Sequence, residues 1–240
     1  MKLNTEFMAR TLIAVLSGVP VTLKLTFFTL LLSTPIAFFM ALARMKKGGA
    51  AGRLIAAYVS FIRGTPIVLQ ILFLYSLLPT LLNYMIKTGL GLDFNIFNVD
   101  ASLYAYIVFS FNTTAVLSEV FRSALFTVDH GQLEAALSVG FTRRQAYTRI
   151  VVPQALVSAL PNICNATVNL LKSTSLAFMM TVKDITAVAK LNAAYGYNYI
   201  EAYLIIFFIY IILCTAVQLL FKLVEGYFSS YRRPVRENAF

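Results

Sequence analysis

Charged side chains are scarce in this chain. Asp, Glu, Lys and Arg make up 12% of its 240 residues, against roughly 25% in soluble domains, so a conventional water-facing surface is excluded. Histidine occurs once, at His130, and cysteine twice, at Cys164 and Cys214. His130 has no companion ligand, and neither cysteine has a CxxC spacing or a histidine neighbour, so nothing suits a metal or redox centre. A nucleotide loop is missing too. Gly48, Gly49 and Gly52 lie in a basic run of small residues without GxxxxGK[ST]. No apolar segment carries a nucleophile beside a base. Residues 1–10 lack the pattern of a removable signal, so the first apolar segment is expected to direct insertion. The halves show no repeat, which weighs against the inverted-repeat plan of many carriers.

What is abundant is apolar surface: 59% of the residues are hydrophobic. A helix needs about 20 apolar residues to cross a bilayer, and the chain has room for several. The pattern predicts an all-α membrane protein. Residues 1–20 form an N-terminal interfacial helix, with Phe7, Met8, Leu12, Ile13 and Leu16 at helical spacing. Five transmembrane helices follow, over 21–43, 54–82, 102–126, 153–181 and 199–229. The membrane domain covers 21–229, and 230–240 is a basic cytoplasmic tail. Inside the second span, Arg63-Gly64-Thr65-Pro66 predicts an interrupted helix lining a cavity. Residues 83–101 and 182–198 read as outer loops.

The net charge of +10 comes from 20 basic against 10 acidic residues. In a soluble chain it would suggest nucleic acid. Here the cations sit between apolar runs, over 44–53, 127–149 and the tail, so the positive-inside rule explains them. With five spans, that places the N-terminus outside and the C-terminus in the cytoplasm.

Two polar features stand out. The first is the loop 127–149. Asp129 can cap a helix start, Glu134-Ala135-Ala136 gives a small face, and Gly140 can end the helix, with Arg143, Arg144 and Arg149 beyond it. Such a segment could press into a groove on another protein, or be an ordinary basic cytoplasmic loop. The second is a set of polar groups within the spans: Arg63, Thr113, Thr114, Ser118, Glu119, Asn169, Lys172, Ser173, Thr174 and Ser175. Such groups are costly in lipid. They either pair internally and hold the bundle together, or line a pocket. In the pocket reading Glu119 meets an ammonium and Lys172, with the hydroxyls 173–175, meets a carboxylate, which suits a zwitterionic amino acid. Thr113, Thr114 and Ser118 can equally bond their own helix backbone.

Glu134-Ala135-Ala136, three residues, Gly140, and then Pro153-Gln154-Ala155 resemble the signature loop of ATP-binding-cassette importer permeases. FIRGTPIVLQILFLY (61–75), SEVFRSAL (118–125) and LLKSTSLAF (170–178) resemble segments of the polar amino-acid branch. Ser173 stands where that branch has Asp, which removes a local negative charge. VDHGQLEAALSVGFT, ALPNICN and VKDITAVAK are most similar to the L-cystine importers. The resemblance covers nearly the whole chain. It implies a type I permease in the bacterial inner membrane that catalyses no reaction and binds no cofactor. Two permease subunits, identical or paralogous, would form the pathway. Two ATPase subunits would carry ATP and Mg²⁺, and an external substrate-binding protein would deliver the ligand. In that reading Glu134, Ala135, Ala136 and Gly140 form a coupling helix, with Arg143 and Arg144 bordering the ATPase groove. Another polar amino acid, of the Arg, His, Gln or Glu kind, is the alternative substrate. A self-sufficient ion-coupled carrier is the alternative class, and it would have no use for a docking helix.

Overall fold

The computed structural model describes residues 3–45, 49–89, 91 and 96–229. The expected tail 230–240, the centre of the 44–53 turn and Asp93 lie outside the described residues. Among these residues the chain is helical, with no strand. Five segments are long and apolar enough to cross a membrane: Thr5–Met45, Ile67–Gly89, Ala101–Phe126, Arg143–Met180 and Tyr199–Phe228.

Helix α1 (Thr5–Leu16) starts at Asn4, whose side chain accepts from the Phe7 amide. It turns at Ser17-Gly18 into α2 (Val19–Met45). The buried face of α2 is small and hydroxylated: Thr22, Thr26, Thr29, Ser33, Ala37 and Ala41, with Leu25. Small residues let membrane helices approach closely, and α2 packs along α5 (Ala101–Phe126). Leu25 meets Val108 and Phe109 at one level; Ala37 and Ala41 meet Leu117, Phe121 and Leu125 at another. The two helices therefore run parallel.

Between them, α3 (Ala50–Gly64) and α4 (Ile67–Tyr84) return antiparallel. The chain is extended at Thr65 and Pro66, the interruption that the Gly-Thr-Pro sequence predicts. The span expected over 54–82 is thus two helices. Pro66 and the extended Thr65 end α3, and the crossing helix proper starts at Ile67.

Past α5, an Asp129 side chain accepting from the Gly131 amide opens α6 (His130–Ser138). Thr142 and Gln145 then form a reciprocal capping box that opens α7 (Arg143–Ala146). A wide π turn, Tyr147–Val151, joins it to α8 (Val152–Ser173), where Pro153 sits in the first turn and needs no donor. The fourth rod therefore begins at Arg143, ten residues before the expected 153. The capping box, a local polar signal, sets its start ahead of the apolar run.

Helix α8 continues as the 3₁₀ segment Thr174–Met180. A further difference from the expected reading falls at 182–198. That stretch is not a plain loop: it contains α9 (Ile185–Ala194), capped by Asp184. Ile185, Ala189 and Ala193 pack against Val15 of α1 and against Ala202, Ile205 and Ile209 of α10 (Tyr199–Ser229). Gly18 makes the contact possible. A Cβ there would lie 2.6–2.8 Å from backbone atoms of Asp184 and Ile185. The bundle thus has an α9 end and an α6 end, with α1 at the first and the last turn of α10 at the second.

Candidate functional site

At the α6 end, the short helix closes in a Schellman turn. The Phe141 amide donates to the Ala136 carbonyl at 3.1 Å and the Gly140 amide to Leu137 at 3.1 Å. Gly140 has φ of +87°, a left-handed conformation that glycine adopts without penalty. Ala136 is buried against the bundle, with Leu133 packed beside Tyr147 and Val151. Glu134 and Ala135 face outward, as do Arg143 and Arg144. So do Leu137 and Val139, the latter 76% exposed. The sequence motif drew attention to the alanines and the glycine. The two exposed apolar side chains were not singled out, because apolar residues flanking a loop usually pack inward. Together these groups make a small, partly apolar knob standing off the end of a bundle.

Along α8 a polar stripe is exposed: Asn162, Asn165, Asn169 and Lys172. Their spacing of three, four and three residues puts them on one helical face. Lys172 has no hydrogen bond or ion pair with the described residues. Ser173 is half-buried, its hydroxyl turned back to the Asn169 carbonyl at 2.9 Å. Arg63, at the last turn of α3, is also exposed. By contrast, the exposed face of α10 is apolar, with Phe207, Phe208, Ile211 and Ile212. A Lys in mid-membrane costs about 2.5–3.5 kcal/mol against lipid on insertion scales. A face bearing three Asn and a Lys therefore belongs against water or another protein surface.

Other expected site residues lie elsewhere. Glu119 is bound by Arg44 of α2, Nη1 to Oε2 at 2.7 Å, and by Arg122 one turn along α5, whose Nε donates at 3.1 Å. Arg122 also lies over the Phe126 ring. The helix register of this chain does not bring Glu119 and Lys172, expected around one ligand, together. Leu170 packs with Phe109, and Glu119 stands ten residues beyond Phe109 on α5, about 15 Å along the axis. The two helices are antiparallel, so their charges fall at different depths. Thr114 and Ser118 are buried in the bundle. Thr174 is buried as well, donating to the Leu171 carbonyl at 2.6 Å and lying 3.5 Å from the Tyr210 hydroxyl. The structure thus leaves Arg63, Asn169, Lys172 and part of Ser173 open, encloses Thr114, Ser118 and Thr174 in packing, and holds the partly exposed Glu119 between two arginines.

Comparison with known proteins places the chain in a family. Residues 33–228 match the family model described as the binding-protein-dependent transport system inner membrane component. The chain belongs to this family. It is a multi-pass inner-membrane permease subunit. The permease is 35% identical to the probable amino-acid permease protein YxeN of Bacillus subtilis (strain 168), over 93% of this chain and 95% of that one. It is 34% identical to TcyL of the same organism, an L-cystine transport system permease protein, over 86% of this chain and 83% of that one. Its fold is similar to a crystal structure described as an amino acid ABC transporter with histidines. The TM-score is 0.77 at 28% identity, covering 95% of this chain and 100% of that one.

Proposed function

We propose that the permease forms half of the pathway of an ATP-driven importer of polar amino acids, with L-cystine as the first substrate to test. The observation that carries this is the polar stripe on α8, ending in Lys172, which pairs with none of the described residues. It suits the α-carboxylate of an amino acid, with the Asn169 amide and the Ser173 hydroxyl beside it. The relatives named for amino-acid and L-cystine transport support the substrate class. A second permease subunit, identical or paralogous, covers the other side of the stripe.

The α6 end faces the cytoplasm in this reading. Arg44, Arg53, Arg122, Arg143, Arg144 and Arg149 are gathered there, in keeping with the positive-inside rule. The knob of Ala135, Leu137, Val139 and Gly140 seats in a groove on an ATPase subunit, Glu134, Arg143 and Arg144 bordering it. ATP and Mg²⁺ are bound by two such subunits, and this chain performs no hydrolysis. A binding protein delivers the solute at the α9 end. Nucleotide and solute both bias one two-state body, which is what alternating access requires.

The test is uptake by the complete complex in proteoliposomes, with labelled L-cystine and a panel of unlabelled competitors. Nucleotide-dependent uptake, abolished by excess cystine and spared by sugars, is the expected result. Competition by arginine, histidine, glutamine or glutamate instead of cystine would move the substrate within the class. Transport by the purified chain alone, without nucleotide, would overturn the reading.

A further inference from the structure

Pro66 has no amide hydrogen, so the Ile62 carbonyl four residues earlier loses its helical donor. In lipid an orphaned carbonyl is costly, and the sequence around the break supplies a replacement. Gln70 is 7% exposed. Its side-chain amide reaches the Ile62 carbonyl at 2.8 Å, the Thr65 carbonyl at 3.0 Å and the Thr65 hydroxyl at 2.8 Å. The Thr65 hydroxyl in turn donates to the Phe61 carbonyl at 3.0 Å. One glutamine on the first turn of α4 thus ties off the last turn of α3 across the break.

The other end of the same amide is engaged by α5. Asn112 Nδ2 donates to Gln70 Oε1 at 2.8 Å. A second tie lies one turn away on α3, where the Tyr58 hydroxyl donates to the Phe111 carbonyl, and Val59 and Ile62 pack on Ala115. Helix α5 then runs without interruption from Asn112 to Phe126, about 21 Å, and leads within four residues into the α6 knob. Arg63, exposed beside the break, is carried by whatever moves this junction.

We propose that Gln70 and Asn112 are positioning residues. Together they fix the angle between α3 and α4 and make that angle, and hence the placement of Arg63, follow the motion of α5. The inference rests on the coupling role proposed above for α6. Displacement of the knob moves α5, Asn112 carries Gln70, and Gln70 carries both helix ends at the break. A helix interrupted by proline would otherwise swing independently of the rod that senses the ATPase.

The experiment uses the assembled complex in nanodiscs, with Cys164 and Cys214 replaced by Ser and spin labels at Ser60 on α3 and Tyr84 at the end of α4. Nucleotide binding is expected to change the label spacing in the otherwise unchanged complex. Asn112→Leu, which keeps the size and removes the donor, should abolish that change. It should cut solute moved per ATP hydrolysed at least fivefold while hydrolysis itself stays within twofold. Asn112→Gln, which keeps an amide donor, should restore at least half of the coupling. If Asn112→Leu does not assemble, Asn112→Ala is measured in the same way. A label spacing that is indifferent to nucleotide in the unchanged complex overturns the inference. So does a spacing change that persists in the donor-less variant, or coupling within twofold of normal. A Gly140→Asp complex that still transports would instead overturn the coupling role of α6, so the two failures are told apart.

Discussion

A carboxylate held by two guanidinium groups is the clearest case in which a residue's chemistry and its location have to be read separately. Polarity within an apolar run marked Glu119, and in that respect the sequence was a sound guide. The partners were out of its reach, because Arg44 lies 75 positions away and becomes a neighbour only through parallel packing of α2 on α5. Removing Glu119 leaves two partly enclosed cations without a counter-charge. Glu119→Gln should therefore lower thermal stability, on the order of 1–3 kcal/mol for partly buried pairs, and leave the apparent affinity for solute within twofold. A melting curve and an uptake titration on the same preparation check both. Lys172 should behave in the opposite way. A charge-assisted bond is worth about 1.5–3 kcal/mol, so Lys172→Met should raise the half-saturating solute concentration roughly tenfold or more. Its melting temperature should barely move, since no described residue pairs with Lys172.

Asp184 makes a third case at this scale. It is fully buried, accepts from the Thr186 and Ala187 amides at 3.1 and 2.9 Å, and pairs with no described cation. Burial pushes its carboxyl up to about 6, the amide bonds opposing only in part. In an unfolded chain the group titrates near 3.9. The folded protein therefore holds this proton more tightly. The stabilising contribution is complete below about pH 4, is lost as pH rises through about 6, and is flat above. The melting temperature in detergent should be higher at pH 5 than at pH 7, with a slope of at most about 1.4 kcal/mol per pH unit. Asp184→Asn keeps a good cap and should flatten the difference. An unchanged slope in that variant would assign the pH dependence to other groups.

At the scale of elements, local signals served well where one helix end or turn decided the matter. Asp129 and Gly140 bracket α6 as their chemistry predicts, and Pro66 ends α3. They served poorly where an element makes sense only against its neighbours. Helix α9 is ten residues long and carries Thr, Lys and Asn, and its apolar face becomes intelligible only against α1 and α10. The start of the fourth rod was missed because the capping box at Thr142 lies ahead of the hydrophobic signal. The Schellman turn at Gly140 permits a prediction that separates conformation from crowding. Nothing lies within 4 Å of a Cβ built there, so the obstacle to a side chain is the positive φ alone. Gly140→Ala should cost about 1–2 kcal/mol locally and lower ATPase stimulation in part. Gly140→Asp adds a charge to the knob and should abolish stimulation and uptake, with normal membrane insertion. Equal effects of the two would point to the backbone as the sole determinant.

For the whole molecule, the decisive contrast is between two exposed helix faces at similar depth. Over 207–212 of α10 the outward residues are Phe207, Phe208, Ile211 and Ile212; over 162–172 of α8 they are three Asn and a Lys. A single protomer leaves both bare, but only the first is compatible with lipid. The spans themselves were legible in the sequence because length and hydropathy suffice to find them. Which face of each span meets lipid was not, since α8 reads from the sequence only as unusually polar. Burial sorts its polar residues into an enclosed set, Thr167 with Thr174 at its C-cap, and an open set on one stripe. That sorting can be tested by chemistry in the assembled complex, with Cys164 and Cys214 replaced by Ser. A cysteine at Asn165 should react with a charged, water-soluble thiol reagent, and solute should slow the reaction if the stripe lines its path. A cysteine at Ile212, on the apolar face, should stay unmodified under the same conditions. Reaction at Asn165 that is unaffected by solute would make the stripe a wet subunit contact instead of the route. No reaction at either position would place it in a dry seam between permease subunits, and the solute path would then have to be sought along α3 beside Arg63.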